Sequence, residues 1–410
     1  MTSRDTAPPR RAPRNGAASP RLSGIDAARG AALLGMMATH LMPTFGADAH
    51  LTPTWVGLVF SGRSAALFAV LAGIGLALAT GKESPRQGQE LWASRRGIAL
   101  RALVIAVVGL MLGGLEVNIA VILVHYAVLF LCMLPFLGLP AKALCAWAGG
   151  WLLLSPVLAY LVRPWLLAAS PPLQLGHNPG TDDLETPGAL LADLFFTGYY
   201  PVLQWMTYLL IGLAIGRLAL HTAAVQLLLL GCGTVVAVAA KLLGVVAMDS
   251  WGGKAALMSI PGQDSRLDSL LQVNLTGVQQ TDSWWWLATA APHSGTTLDL
   301  LHTSGTAAAV VGLCLLLGRI GGLLKLNILL PLSGPGAMTL SLYSAHVWVV
   351  SGFHERGLPA GWTDEGMYWA QAITAAGIGV LFGLLRRRGP LEWLGHQAFR
   401  LGRYRPAAVG

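Results

Sequence analysis

The sequence predicts an all-α fold, a polytopic integral membrane protein of about ten transmembrane helices with its N- and C-termini in the cytoplasm. Three observations carry this expectation. Of the 410 residues 54% are apolar and only 11% charged, against about a quarter charged in soluble domains. Apolar runs of roughly 20 residues, enough to cross about 30 Å of hydrocarbon, recur along the chain. Basic and acidic residues then sort onto opposite sides of those runs.

The spans read in order as 28–44, 55–80, 97–115, 118–138 and 141–163, then 198–219, 222–248, 301–324, 329–353 and 366–385. Residues 1–21, rich in Arg, Pro and Ala, read as a disordered basic cytoplasmic tail. Residues 22–163 form an N-terminal five-helix half, and 164–197 an outer loop. Two further helices fill 198–248, a second outer loop or lid fills 249–300, three helices fill 301–388, and 389–410 is a cytoplasmic tail. Loops as long as the two outer ones are functional lids or small folded caps. A basic stretch, the apolar run 31–42 and Ala47-Asp48-Ala49 imitate a cleavable signal peptide, but the basic region is long and the apolar run is flanked by Arg29 and contains His40.

With the N-terminus inside, only Arg163, Lys254, Arg266 and Arg356 among the 27 Lys and Arg fall on outer segments, and most acidic residues fall outside. The net charge of +8 is therefore a topology signal, and nucleic acid is excluded as a partner. The four cysteines stand singly in apolar runs, which excludes a disulfide scaffold.

Ionisable groups inside spans are costly unless paired or wet, and mark candidate functional positions. Asp26 and Arg29 are three apart on one helix face, and His40, eleven residues beyond Arg29, returns to that face after three turns plus roughly 20°. Arg63 lies roughly 12 Å deep in the outer half of the second span. His125 shares a face with Asn118, and Thr339, Tyr343 and His346 follow an i, i+4, i+7 pattern. His40, His125, His346 and Arg63 occupy similar outer depth, and Pro292-His293-Ser294-Gly295 can close over them. Lys241 and Arg101 are close enough to span ends to snorkel and receive no role. Trp284-Trp285-Trp286 either stacks on a sugar or belongs to the outer aromatic belt. Without a His-x-x-x-His or paired cysteines, no metal is expected.

The chain resembles the YeiB-like bacterial membrane proteins and, more distantly, the heparan-alpha-glucosaminide N-acetyltransferase family of membrane acyltransferases. The resemblance rests on Ile25-Asp26-Ala27-Ala28-Arg29-Gly30, Phe60-Ser61-Gly62-Arg63, Gly198-Tyr199-Tyr200-Pro201, Gly336-Ala337-Met338-Thr339-Leu340 through Tyr343, and Gly389-Pro390-Leu391-Glu392-Trp393. It implies a bacterial-type plasma membrane protein that moves an acetyl or short acyl group from cytoplasmic acyl-CoA to an amine or hydroxyl of an outer acceptor, usually a sugar. The chain departs from the N-acetyltransferase pattern in two places: His50 precedes Trp55-Val56-Gly57 at a longer spacing, and Arg63 stands where an acidic residue is expected.

An acyltransferase needs a base that titrates near neutrality, which suits histidine. His40 and His50 are the two candidates, in a catalytic set with Asp26 and with Arg63, which has the charge to steady an oxyanion. Acetyl-CoA or another acyl-CoA is the expected donor, its phosphates met by Arg29, Arg95 and Arg96. His125, Tyr199, Tyr200, His293, Tyr343 and His346 are expected to touch substrate or to support the residues that do. Expected partners are membrane lipid and a small-molecule or glycan acceptor, with a homo-oligomer left open. The rival function is a transporter or flippase that uses the same polar seam as a substrate or proton path.

Overall fold

The structure, a computed structural model, describes residues 22–404 apart from 170–172, 174, 264–265 and 276–278. The predicted tail 1–21 lies outside the described residues. The described residues are helical, with a single isolated β-bridge between Phe45 and Pro53.

Six stretches are long and apolar enough to cross a membrane: Trp55–Ala79, Gly88–Gly113, Ala141–Leu167, Ala223–Ser250, Thr297–Leu323 and Asp364–Leu384. The first contains α2 (Trp55–Phe60) and α3 (Arg63–Ala79), separated at Gly62, whose φ of 71° is left-handed and interrupts the helix. The others contain α4 (Gly88–Gly113), α6 (Ala141–Leu167), α9 (Ala223–Val245), α12 (Thr297–Leu323) and α15 (Asp364–Leu384).

The remaining predicted spans are shorter or broken, each for a local reason. The first predicted span becomes α1 (Ser23–Leu41), which starts early enough to include Asp26 and Arg29 and whose two charges and His40 lower its hydropathy. The predicted span 118–138 shrinks to α5 (Leu123–Cys132) and a 3₁₀ turn, Leu134–Gly138. Its first residues are held out of the helix instead: Asn178 accepts from Val121 N–H and donates to Ile119 O. Non-helical backbone at this depth is tolerated because protein groups satisfy it. The short α7 (Pro187–Ala192) precedes Pro201, which delays α8 (Val202–Gly216), and Ala337 and Met338 separate α13 (Leu330–Gly336) from α14 (Thr339–Arg356). The predicted tail 389–410 contains α16 (Pro390–Arg403), an amphipathic helix that packs along α4 while Trp393, Leu394 and Leu401 stay exposed.

Lipid tails are as apolar as leucine, so helices in a bilayer gain most where small residues let backbones approach. The most extensively packed pair, α9 and α12, meets through Gly233 and Gly305, each lying against the other's carbonyl. Gly336 rests on the Asp26 carbonyl and Gly30 on that of Leu332, which fixes α13 across α1. α1 is thereby central, with Ala28 and Leu33 fully buried between α3, α12 and α13.

The segment predicted as the second outer loop folds into a cap with its own core. It contains α10 (Gly253–Met258) and α11 (Leu267–Val273), and Leu257, Leu267 and a fully buried Trp286 pack together in it. Of the tryptophan triplet, Trp286 is therefore a core residue, while Trp284 is exposed and lies 4.6 Å from the Tyr160 ring.

Candidate active site

A cavity of about 470 Å³ opens beside the Asp26–Arg29 ion pair, whose atoms are 2.8 Å apart. Its mouth carries four cationic side chains, Arg29, Lys82, Arg101 and Arg388, with Asp26, Glu392 and His396. The field there is positive: His396 on α16 is held below its ordinary pKa first by burial and then by the charges of Arg388, Arg400 and Arg101. α16 forms one lip, anchored by Glu392, which accepts from the Leu340 N–H at 2.6 Å, the Ser341 N–H at 3.2 Å and the Ser341 hydroxyl at 2.6 Å. Its carboxylate so caps the first turn of α14.

Met36, Phe68, Tyr126 and Tyr343 also line the cavity. The Tyr343 ring lies 6.3 Å from that of His40, edge to face. His40 Nδ1 is 3.0 Å from His346 Nε2, the two rings nearly parallel, and His346 Nδ1 is 2.7 Å from Gln371 Oε1. With the Gln371 oxygen accepting from His346 Nδ1–H, His346 Nε2 accepts from His40 Nδ1–H, and the His40 Nε2 lone pair remains for chemistry.

Beyond Tyr343 the polar contacts continue. The Tyr343 and Tyr200 hydroxyls both donate to Ala120 O at 3.3 Å, and Tyr200 lies 5.7 Å from the His125 ring and 6.3 Å from that of His293. A second space, of about 80 Å³, lies between the two segments predicted as outer loops, lined by Arg163, Tyr199, Gln279, Gln280 and His293. Tyr199 donates to Gly176 O. His293 is pushed down to about 4 by burial and then by the Arg63 charge, which keeps it neutral at pH 7.

Of the residues singled out in the sequence, the structure links His40, His346, Tyr343, Tyr200, His125 and His293 in one chain of contacts, with Asp26 and Arg29 at the cavity mouth. Four others stand apart. Arg63 does not line the cavity: its Nε–H donates to His302 Nε2 at 3.2 Å and its Nη1–H to Ser61 O, so it faces α12 rather than His40. Gly62 aims it there by restarting the helix at Arg63. His50 is exposed beside the cap, its carbonyl accepting from the Ser269 hydroxyl there, and has no place near the His40 pair. Arg95 donates to Leu134 O and Pro135 O, which ties α4 to the 3₁₀ turn, and Arg96 is exposed and absent from the cavity lining.

The structure adds residues that sequence reasoning passed over. Arg101, set aside as a snorkelling residue, lines the cavity, and a charge within a predicted span was the signal. Lys82 and Arg388 were counted only as inner charges. Gln371, Tyr126 and His302 carried no signal beyond polarity in an apolar helix. Among the described residues, no group of three or more His, Cys, Asp or Glu side chains is placed to hold a metal ion.

The catalytic-domain model of heparan-alpha-glucosaminide N-acetyltransferase matches residues 21–244, more than half of the chain. The chain belongs to this family. It is a multi-pass membrane protein with the catalytic domain of an N-acetyltransferase, and the match runs from α1 into α9. His346 and Gln371, which hold His40, lie beyond the matched segment. A comparison with curated proteins finds no match.

Proposed function

We propose that the protein takes an acetyl or short acyl group from cytoplasmic acyl-CoA and transfers it to the amine of an extracytoplasmic sugar. The shorter helices α1, α5 with its turn, α8 and the α13–α14 pair complete about ten spans, with both ends in the cytoplasm of a bacterial-type cell. The observation that carries this reading is the cavity, which joins a four-cation mouth to Tyr343 beside the His40–His346 pair.

In this scheme Arg29, Lys82, Arg101 and Arg388 meet the phosphates of the donor. The pantetheine arm lies between Phe68 and the α1 face, and the thioester comes to rest near Tyr343. The acceptor enters between the outer loops, past Arg163, Tyr199 and His293. Its neutral amine attacks the thioester carbon, forming C–N, while His40 Nε2 takes the amine proton. Collapse of the tetrahedral intermediate breaks C–S, and the departing thiolate receives that proton.

The test is calorimetric binding of acetyl-CoA to the purified protein in detergent, followed by transfer of labelled acetyl to glucosamine, the probe suggested by the family's description. Wild type is expected to bind and to transfer. His40→Ala is expected to bind within about twofold of wild type and to lose about 100-fold or more in transfer. Folded wild type that binds no acetyl-CoA overturns the reading, and turnover retained in His40→Ala removes that residue as the base.

A further inference from the structure

Three phenols gather at the cavity: Tyr126 and Tyr343 line it, and Tyr200 shares an acceptor with Tyr343. Two have committed their hydroxyls to the Ala120 carbonyl. Tyr126 has not. It is 3% exposed, its hydroxyl has no hydrogen-bond partner in the structure, and it lines the cavity. The ring is fixed edge-on by Phe68 at 5.6 Å and Phe130 at 6.1 Å, two other lining residues that offer no acceptor. A buried hydroxyl with no partner is costly and is retained where a ligand completes it.

We propose that Tyr126 Oη–H donates to the thioester carbonyl oxygen of bound acyl-CoA, and is a catalytic residue for its transfer. The proposal rests on the functional reading above and supplies what that reading lacks, since Arg63 faces α12. As the amine forms the C–N bond, the carbonyl π electrons move to oxygen, and the Tyr126 proton steadies that oxyanion without leaving the phenol. When C=O reforms and C–S breaks, the hydrogen bond relaxes to its ground-state strength. A donor fixed in a site that excludes water favours the transition state over the substrate, because the charge on the oxygen grows between them.

Tyr126→Phe removes one oxygen and keeps the ring that packs on Phe68 and Phe130. It is expected to bind acetyl-CoA within about twofold of wild type while kcat for transfer to glucosamine falls about 100-fold. An acceptor-free readout accompanies it: the infrared carbonyl stretch of acetyl-CoA labelled with ¹³C at the thioester carbon. In wild type the bound band is expected below the free frequency, and in Tyr126→Phe back towards it. An unchanged kcat overturns the proposal. So does a reduced kcat with the same band position in both proteins, which makes Tyr126 a packing or water-holding residue only. Wild type that binds no acetyl-CoA overturns the functional reading and this inference together, whereas binding and turnover with no dependence on the phenol overturn the inference alone.

Discussion

Arg217 Nη1 lies 2.8 Å from the Lys82 carbonyl, at the junction where α3 ends. The same guanidinium donates to Ala77 O, Leu137 O and the Thr80 hydroxyl, and the residue is 4% exposed. A charge read from the sequence as one of many inner-surface arginines is thus a buried pin that joins α8, the end of α3 and the 3₁₀ turn. Arg217→Leu strands those carbonyls, and a loss of about 3 kcal/mol is expected. Thermal unfolding in detergent measures it. Arg217→Lys, a point charge without the planar fork, is expected to recover only part of the loss.

The cavity mouth predicts a charge effect on donor binding. Arg29→Ala and Arg101→Ala are each expected to raise the Kd for acetyl-CoA about tenfold, roughly 1.4 kcal/mol. Part of that penalty disappears when the donor lacks its 3′-phosphate. Calorimetry with acetyl-CoA and its dephosphorylated form measures both effects. Equal losses for the two ligands would place those arginines away from the phosphates.

Arg63 behaves differently in this account. Held by His302 and the Ser61 carbonyl, it joins α3 to α12 and leaves the donor cavity untouched. Arg63→Met is expected to lower thermal stability by about 2 kcal/mol, with acetyl-CoA affinity within about twofold of wild type. An affinity loss comparable with that of Arg29→Ala would return Arg63 to the donor site.

Glu392 predicts a local release. Its carboxylate holds Leu340 N–H, Ser341 N–H and the Ser341 hydroxyl. Glu392→Ala frees those donors and loosens the α16 lip from α14, at a cost of about 2 kcal/mol. Limited proteolysis is expected to cut near 386–389 far sooner in the variant, and acetyl-CoA affinity to fall because the lip carries part of the mouth. An unchanged digestion pattern would show that packing of α16 on α4 suffices to hold it.

Much of this is legible in the sequence, because periodicity and hydropathy report what each segment buries. The helices α6, α9, α12 and α15 follow the apolar runs closely, while α4 begins nine residues before its run because its first turns are polar. His40, Tyr343 and His346 share contacts because outer depth in a span is a one-dimensional quantity that a sequence carries. Direction around the bundle is not. Arg63 and His40 have similar depth, yet the first faces His302 and the second His346, since which side of α3 or α1 meets which neighbour depends on glycine contacts between distant segments. Breaks inside apolar runs were illegible for the same reason: residues 118–122 leave the helix because Asn178, far along the chain, satisfies their backbone. α16 was missed because its apolar face is too short for a span, and a basic tail reads as polar.

Outside the six long helices, Asp193 predicts a pH dependence. Its side chain is 3% exposed, both carboxylate oxygens lack hydrogen-bond partners, and burial pushes its pKa up from 3.8 to about 6, against the opposing charge of His177 and with that of Asp183 adding to it. The folded protein therefore binds this proton more tightly than the unfolded chain does. The associated stability is fully present below about pH 4 and is lost as pH rises through about 6, a change on the order of 2 to 3 kcal/mol. Asp193→Asn carries no such charge, so the stability difference, wild type minus variant, should fall between pH 4 and pH 7. Thermal unfolding across that range measures the difference, and hydrogen exchange of residues 187–199 places it. A difference that stays flat would mean that Asp193 finds a donor in solution and ionises without cost.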